Sequence, residues 1–261
     1  MAIASAANYP ANRPVARDWF REWFDSPYYH KLYFQHNEAE AAAFITRLLD
    51  RLAPPPGSAL LDVACGRGRH ARMLAAYGYD VTGIDIAPGS IDFANRYAND
   101  HLRFFVHDMR QLLCTNCFQY AFNFFTSFGY FETRREDYNA IRTVSIALQP
   151  KGVFVLDYLN ARRAERQLVP NEQKIIDSVT YTITRWCDGK HFYKKIVINE
   201  EGLAKPLEYT ERVAVLAPED FESLLRPNGL QIRQLYGNYQ LDAFDAEHSP
   251  RLIIIAEKAA E

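Results

Sequence analysis

The stretch LLDVACGRGRH, Leu60–His70, runs from apolar residues through one acid into two glycines separated by a single position. Ala59 to Ala64 reads as a buried strand and Arg69 to Tyr77 as a helix, so the glycines fall at a strand-to-helix turn. Gly66 and Gly68 let the backbone approach a ligand closely, whatever its charge. A dinucleotide-binding turn usually carries a third glycine three residues after the second, where the helix packs close. That position is Ala71 here, a residue the fold tolerates, so the glycine count alone leaves a nicotinamide cofactor open. Asp62 says more: a carboxylate at the end of the first strand sits poorly beside pyrophosphate oxygens and well beside a cation.

Working outward, Gly78 stops the helix and Tyr79 to Ile84 forms a second strand, completing a βαβ unit. A helix over Ile91 to Tyr97, strands over Leu102 to Val106 and Tyr120 to Phe125, a helix over Glu136 to Leu148 and a strand over Val153 to Asp157 continue the alternation. Such alternation predicts an α/β, Rossmann-like, doubly wound, mostly parallel sheet covered on both faces. Upstream, a helical region spans Asp18 to Leu52 and ends before Pro54-Pro55-Pro56-Gly57. Past Asp157 the pattern turns β-rich: Lys174 to Trp186, Phe192 to Asn199 and Leu207 to Leu216 predict a three-stranded antiparallel insertion. The helical PEDFESLLRPNG and strands around Gln231 to Leu235 and Leu252 to Ala256 then complete the sheet. The expected organisation is an N-terminal helical lid over 1–56, a core over 57–160, an antiparallel β insertion over 161–216 and completion of the core sheet over 217–261.

The 261 residues are 48% hydrophobic, enough to bury a sizeable core, and carry a formal net charge of −2 with mixed signs. No basic field points to nucleic acid or an anionic membrane, which favours a small-molecule substrate. The opening MAIASAANYPANRP lacks the apolar core of a signal peptide, and the purest apolar run, Leu252 to Ala256, is too short to span a bilayer, so a cytoplasmic protein is expected. Four cysteines are few for a disulfide framework and are expected to stay reduced. Cys114 and Cys117 form a CxxC with His101 and His107 upstream, a spacing that matches no zinc pattern, so no metal is expected.

Four motifs in order, LLDVACGRGRH, VTGIDIAP, FFVHDM and FFTSFGY, resemble those of the class I S-adenosylmethionine-dependent methyltransferases, most closely the small-molecule glycine and aminosugar N-methyltransferases. The resemblance covers Ala59 to Asn160 directly, and the later strands fit that family's reversed terminal strand. It implies S-adenosyl-L-methionine as cofactor. Asp62, the Ala64 backbone, Gly66 and Gly68 would meet its methionine end. Asp85, 17 residues beyond Gly68 and followed by Ile86, would accept the ribose hydroxyls. Asp108 and Met109 would read the adenine edge, and Phe125 would face the same ligand across the crevice.

Methyl transfer needs orientation, a dry cavity and a neutral nucleophile, with a base if the acceptor is a hydroxyl. The segment WFREWFDSPYYHKLYFQH, Trp19 to His36, supplies aromatics ahead of the core. Trp19, Trp23 and Phe24 read as packing, whereas Tyr28, Tyr29, His30 and Tyr33 follow Ser26-Pro27 and combine apolar rings with polar tips, as a lid over the cofactor would. His30 is the candidate base, with Tyr29 and Tyr130 beside it. Thr126 to Phe131 lacks the paired prolines of methyltransferases acting on adenine in nucleic acid and lies where the family places its acceptor pocket. Asp157, Tyr158 and Asn160 could touch a polar acceptor, and the β insertion could cover the pocket or join two copies in a homo-oligomer. Alternatives are methylation of a peptide or protein side chain, a non-catalytic cofactor-binding protein and, least, a nicotinamide oxidoreductase.

Overall fold

The structure, a computed structural model, describes residues 15–33 and 38–260. The leading MAIASAANYPANRP and the end of the aromatic segment, residues 34–37, lie outside the described residues. Three helices open the chain: α1 (Trp19–Asp25), α2 (Pro27–Tyr33) and α3 (Glu38–Leu52). The core then alternates β1 (Ala59–Val63), α4 (Arg69–Ala76), β2 (Asp80–Asp85), α5 (Pro88–Ala94), β3 (Leu102–Val106), β4 (Phe118–Asn123), α6 (Arg134–Ala147) and β5 (Leu148–Leu159). Local chemistry sets several of these bounds. Gly78, at φ 88°, stops α4. Pro88 occupies the first turn of α5, where its missing N–H costs nothing. Thr133 and Glu136 close a capping box on α6.

Short α7 (Ala161–Arg166) leads into β6 (Asn171–Ile176), β7 (Val179–Cys187), β8 (His191–Asn199) and β9 (Leu207–Ala214), after which α8 (Pro218–Leu225), β10 (Leu230–Tyr236) and β11 (Arg251–Lys258) return to the core. The main sheet has seven strands in the order β10-β11-β5-β4-β1-β2-β3. β1 pairs in parallel with β2 and β4, while β11 runs antiparallel to both β5 and β10. The reversed strand is therefore the last in the chain, seated between β5 and β10. The topological switch point lies between β1 and β4, where the chain leaves in opposite directions and a crevice opens at the strand ends.

The insertion is a separate antiparallel sheet of four strands, β6-β7-β8-β9, rather than three. The run from Lys174 to Trp186 breaks at Asp177-Ser178, whose φ values of 46° and 68° make a hairpin turn of the kind that usually announces itself with Asn-Gly. Without a glycine the turn left no mark on the sequence. The sheet's inner face, with Val179, Tyr181, Ile183, Ile196 and Ile198, joins one apolar core with Trp19, Phe20 and Trp23 of α1. Trp23 packs on Tyr209 with ring centroids 4.6 Å apart, so the N-terminal helices dock on the insertion as well as on the main sheet.

Cys114 and Cys117 are joined in a disulfide, not held as two thiols; the loop before β4 brings their Cα atoms to 6.3 Å, within the reach of such a bond. Among the described residues no cluster of three or more His, Cys, Asp or Glu is arranged to hold a metal, and no helix is long and apolar enough to cross a membrane.

Candidate active site

The crevice is lined by two loops, Ala64-Cys65-Gly66-Arg67-Gly68 after β1 and Phe124-Phe125-Thr126 after β4. In the first, Ala64, Gly66 and Gly68 all take left-handed backbone, at φ 59°, 54° and 77°. A Cβ at Gly68 would come within 2.6 Å of the Phe104 ring beneath it, whereas one at Gly66 would meet nothing within 4 Å. Gly68 is demanded by packing, and Gly66 leaves open space above the loop. Asp85 ties the loop to β2: its carboxylate accepts from the Gly66 amide at 2.8 Å and the Ala87 amide at 2.9 Å. Two amides leave roughly half of a carboxylate's acceptor capacity for a ligand.

Asp62, at the end of β1, is 1% exposed, and its Oδ2 has no hydrogen-bond partner among the described residues. Burial pushes its acid up to about 8, against the opposing pull of the Ala71 amide. A buried, orphaned carboxyl oxygen is costly unless a donor meets it, and an ammonium is the donor that offsets most. On this observation the loop fits the cationic amino end of S-adenosylmethionine and not a pyrophosphate. Asp62, Ala64, Gly66 and Gly68 would hold the methionine end and Asp85 with Ile86 the ribose.

The second loop is strained. Phe125 and Thr126, both non-glycine, sit at φ 62° and 61°, a conformation costing on the order of 1–3 kcal/mol each. Asp157, buried at the end of β5, over-determines it. Its Oδ2 accepts from the Phe125 amide at 2.8 Å and from Tyr239 at 3.1 Å, its Oδ1 from Arg251 Nε at 2.7 Å, and its carbonyl from the Thr126 amide at 2.9 Å. Asp157 thus shapes the loop instead of touching an acceptor. Tyr158 and Asn160 are likewise structural: the Tyr158 hydroxyl donates to the Ala214 carbonyl, and the Asn160 amide to the carbonyls of Ala246 and Ser249.

A slot of about 40 Å³ lies between Phe20 and Phe24 of α1 and the wall of Ile86, Asp108 and Met109. That is room for a few waters, not for a purine. Phe24, expected as plain packing, roofs this slot. Arg21 of α1 reaches over it to Asp108 at 2.9 Å, and Arg110 holds the same carboxylate at 2.7 Å. Burial pushes the Asp108 acid up, but the hydrogen bonds from Arg110 outweigh it and the acid lies low. With the Arg110 amide also donating to it, this carboxylate's acceptor sites are taken. Asp108 can meet an adenine edge only when Arg21 lets go, so α1 closes the slot in this arrangement.

The tyrosine residues of α2 behave differently from the expected base. His30 stands 3.4 Å from the Ser90 hydroxyl on α5, and burial, reinforced by Arg67, pushes it down to about 4. It is neutral at physiological pH and a weak proton acceptor, which argues against the base assigned to it. Tyr29 and Tyr130 are pushed above the ordinary phenol range by burial. Both stay protonated and serve as hydrogen-bonding groups; Tyr130 donates to the Thr126 carbonyl, bracing the strained loop. Tyr33, expected at the cofactor, instead donates to Glu211 of β9 at 2.8 Å and pairs with Lys194 of β8. Glu211 also accepts from Trp23 Nε1 at 2.7 Å. The sequence reading missed Glu211 and Lys194, because only strand register brings them under α2.

Beyond this cluster, on the inner face of the insertion sheet, lies a cavity of about 480 Å³. Leu159, Leu168, Phe192 and Val213 make its apolar wall, with Lys194 and Glu211 at one end. The rings of Tyr33, Tyr29, Phe24 and Tyr130 follow one another at centroid distances of 4.8, 4.9 and 5.2 Å, leading from that end to the slot beside Asp85. Tyr29 packs against Tyr33 and against Phe24, which links the two halves of this row of rings.

A doubly wound sheet with a glycine-rich turn, an orphaned acid and a ribose-ready acid at its switch point defines a Rossmann-like protein that binds a cationic nucleoside cofactor. The chain belongs to the methyltransferase domain family, which matches residues 33–235, and is an S-adenosylmethionine-dependent methyltransferase. It is similar to the dTDP-3-amino-3,4,6-trideoxy-alpha-D-glucopyranose N,N-dimethyltransferase of Streptomyces venezuelae, 31% identical over 42% of this chain and 46% of that enzyme. Its fold resembles that of an S-adenosylmethionine-dependent methyltransferase from Clostridium acetobutylicum ATCC 824 (TM-score 0.74, 17% identity, 89% of this chain and 96% of the other). It also resembles the sugar N-methyltransferase KedS8 from Streptoalloteichus sp ATCC 53650 (TM-score 0.68, 18% identity, 99% of both chains).

Proposed function

We propose that the protein transfers the methyl group of S-adenosylmethionine to a nitrogen or oxygen of a small molecule. The observation that carries the reading is the open cavity of about 480 Å³, in the size range of small-molecule sites, followed by the Tyr33-Tyr29-Phe24-Tyr130 row of rings toward the loops that would hold the cofactor. The similarity to an aminosugar dimethyltransferase supports an amine acceptor.

The cofactor, when bound, supplies an electrophilic sulfonium methyl whose departure neutralises charge and needs no acid. This chain's residues do the rest. Asp62 and the glycine loop orient the methionine end, Asp85 the ribose, and the aromatic wall excludes water from the junction. Tyr29 and Tyr130, held as neutral phenols, direct lone pairs and donors without adding charge. An amine acceptor entering as the free base sheds its proton after transfer, which suits a junction whose histidine is too weak a base to act first.

Two measurements test this. Calorimetry with S-adenosylhomocysteine should show micromolar-range binding, weakened by about 1–3 kcal/mol in Asp85→Ala; no heat with the wild type rejects the cofactor site. Transfer of labelled methyl from S-adenosylmethionine should then appear on members of an amine, phenol and sugar panel. Label that appears only on peptides assigns the protein to side-chain methylation instead.

A further inference from the structure

We propose that the cavity on the insertion sheet is the acceptor site, and that it takes an acceptor bearing an acidic group, carboxylate or phosphate, on an apolar body. The proposal rests on the methyl-transfer reading above. The strand register places Arg185 of β7 directly opposite Lys194 of β8, and Lys194 opposite Glu211 of β9. Two cations opposite each other on one face destabilise a sheet, and a sheet that needed only to fold would gain by separating them. Lys174, on the same face, adds a third cation, because it pairs with Tyr181 as Ile183 pairs with Glu172.

Two carboxylates face these three cations, and both are committed. Glu172 holds Arg185 at 2.5 Å and Lys174 at 3.2 Å. Glu211 receives Trp23 and Tyr33 on one oxygen, and its other oxygen lies 4.0 Å from Lys194 Nζ, beyond hydrogen-bond length. The Lys194 ammonium, half-buried, therefore meets a neutral tyrosine hydroxyl and the face of its ring, 4.4 Å from the centroid. Burial pushes the lysine down, Glu211 partly opposes this, and Arg185 and Lys174 push it down further. An anion entering the cavity supplies the counter-charge that Lys194 lacks at hydrogen-bond distance, with the Glu172-paired Arg185 beside it, while Leu159, Leu168, Phe192 and Val213 cover an apolar body. The aromatic wall then points the rest of the acceptor toward the cofactor loops.

The test uses the full chain saturated with S-adenosylhomocysteine and two matched pairs of probes, dTDP against thymidine and 4-hydroxybenzoate against 4-hydroxybenzamide, titrated by calorimetry. The acidic member of at least one pair is expected to bind at least tenfold tighter than its neutral twin, and the pair that responds separates a phosphate from a carboxylate. Lys194→Met should abolish the preference and Arg185→Gln should reduce it several-fold, with S-adenosylhomocysteine affinity within twofold of wild type in both. Should Lys194→Met fail to fold, Lys194→Gln and Arg185→Gln carry the comparison. Equal binding of the twins, no binding of either acid up to millimolar concentration, or a preference that survives the lysine variants overturns the inference. Methyl transfer to neutral small molecules without acid preference would sink this inference alone, whereas label on peptides only would sink the reading beneath it.

Discussion

The loops at the strand ends and the cavity of the insertion, the two binding surfaces proposed above, are built from different material. In the loops the contacts are made by backbone: left-handed residues, amides turned toward Asp85 and Asp157, and one orphaned carboxyl oxygen. In the cavity they are made by side chains from the four insertion strands, from β5 and from the α7 segment, with its charged groups brought together by pairing register. A backbone-built site demands particular residues at fixed local spacings. A side-chain-built site demands only that distant residues fall on one face, so its chemistry can be changed without disturbing the fold. The loops suit a constant cofactor and the cavity a variable acceptor.

The sharpest way to break this contrast is Asp157→Ala. Removing the carboxylate leaves Arg251, the half-buried partner at 2.7 Å, without a counter-charge and releases the strained Phe125-Thr126 loop. A loss of about 3–5 kcal/mol in chemical denaturation is expected, and a loss under about 1 kcal/mol would show that the loop holds itself. Gly68→Ala comes next: the added Cβ meets Phe104 at 2.6 Å in left-handed backbone, so stability should fall by about 2 kcal/mol. A neutral outcome would mean that Phe104 shifts freely and the first loop is less rigid than its geometry.

Asp62 yields a pH signature. Its acid is held near 8 in the fold against about 3.9 unfolded, so between those values the native state binds the extra proton and stability falls as pH rises through that window. A bound ammonium reverses the preference, releases the proton and makes S-adenosylhomocysteine affinity rise with pH, by up to about 1.4 kcal/mol per unit, until about pH 8. Asp62→Asn should abolish both slopes; wild-type affinity that is flat from pH 6 to 8 would remove the ammonium from Asp62. The smallest effect separates functional from incidental strain. Ser178, left-handed at φ 68° in the β6–β7 turn, touches neither site, and Ser178→Gly should raise stability by about 0.5 kcal/mol without changing turnover. A matching gain in activity would tie the insertion's hairpin to catalysis.

Much of the main sheet was legible because each strand end carries its own punctuation. Gly66 and Gly68 mark the turn after β1, Gly78 the end of α4, and Asp85 the end of β2, each within a few residues of the structure it specifies. The fourth insertion strand was not, because Asp177-Ser178 makes its turn without the glycine that the reading relied on. The partners of Tyr33, Asp108 and Asp157 were not legible for a shared reason. A tyrosine or aspartate is recognisable as polar chemistry in a sequence, but its partners, Glu211 and Lys194, Arg21, and Arg251, come from up to 178 residues away.

The family resemblance implied the reversed closing strand and the cofactor; by itself the sequence determined the alternation of the core, the glycine-rich turn after its first strand and the placing of an acid, Asp62, beside a buried run. Each rests on interactions between near neighbours: apolar periodicity, glycine's access to left-handed backbone and the cost of a charge beside a buried run. Only the tertiary structure decided that α1 bars the slot through Arg21 and Asp108, that burial and Arg67 lower His30, and that Lys194 and Arg185 face the same cavity. Desolvation and long-range pairing decide these, and both depend on which surfaces meet after the chain has folded.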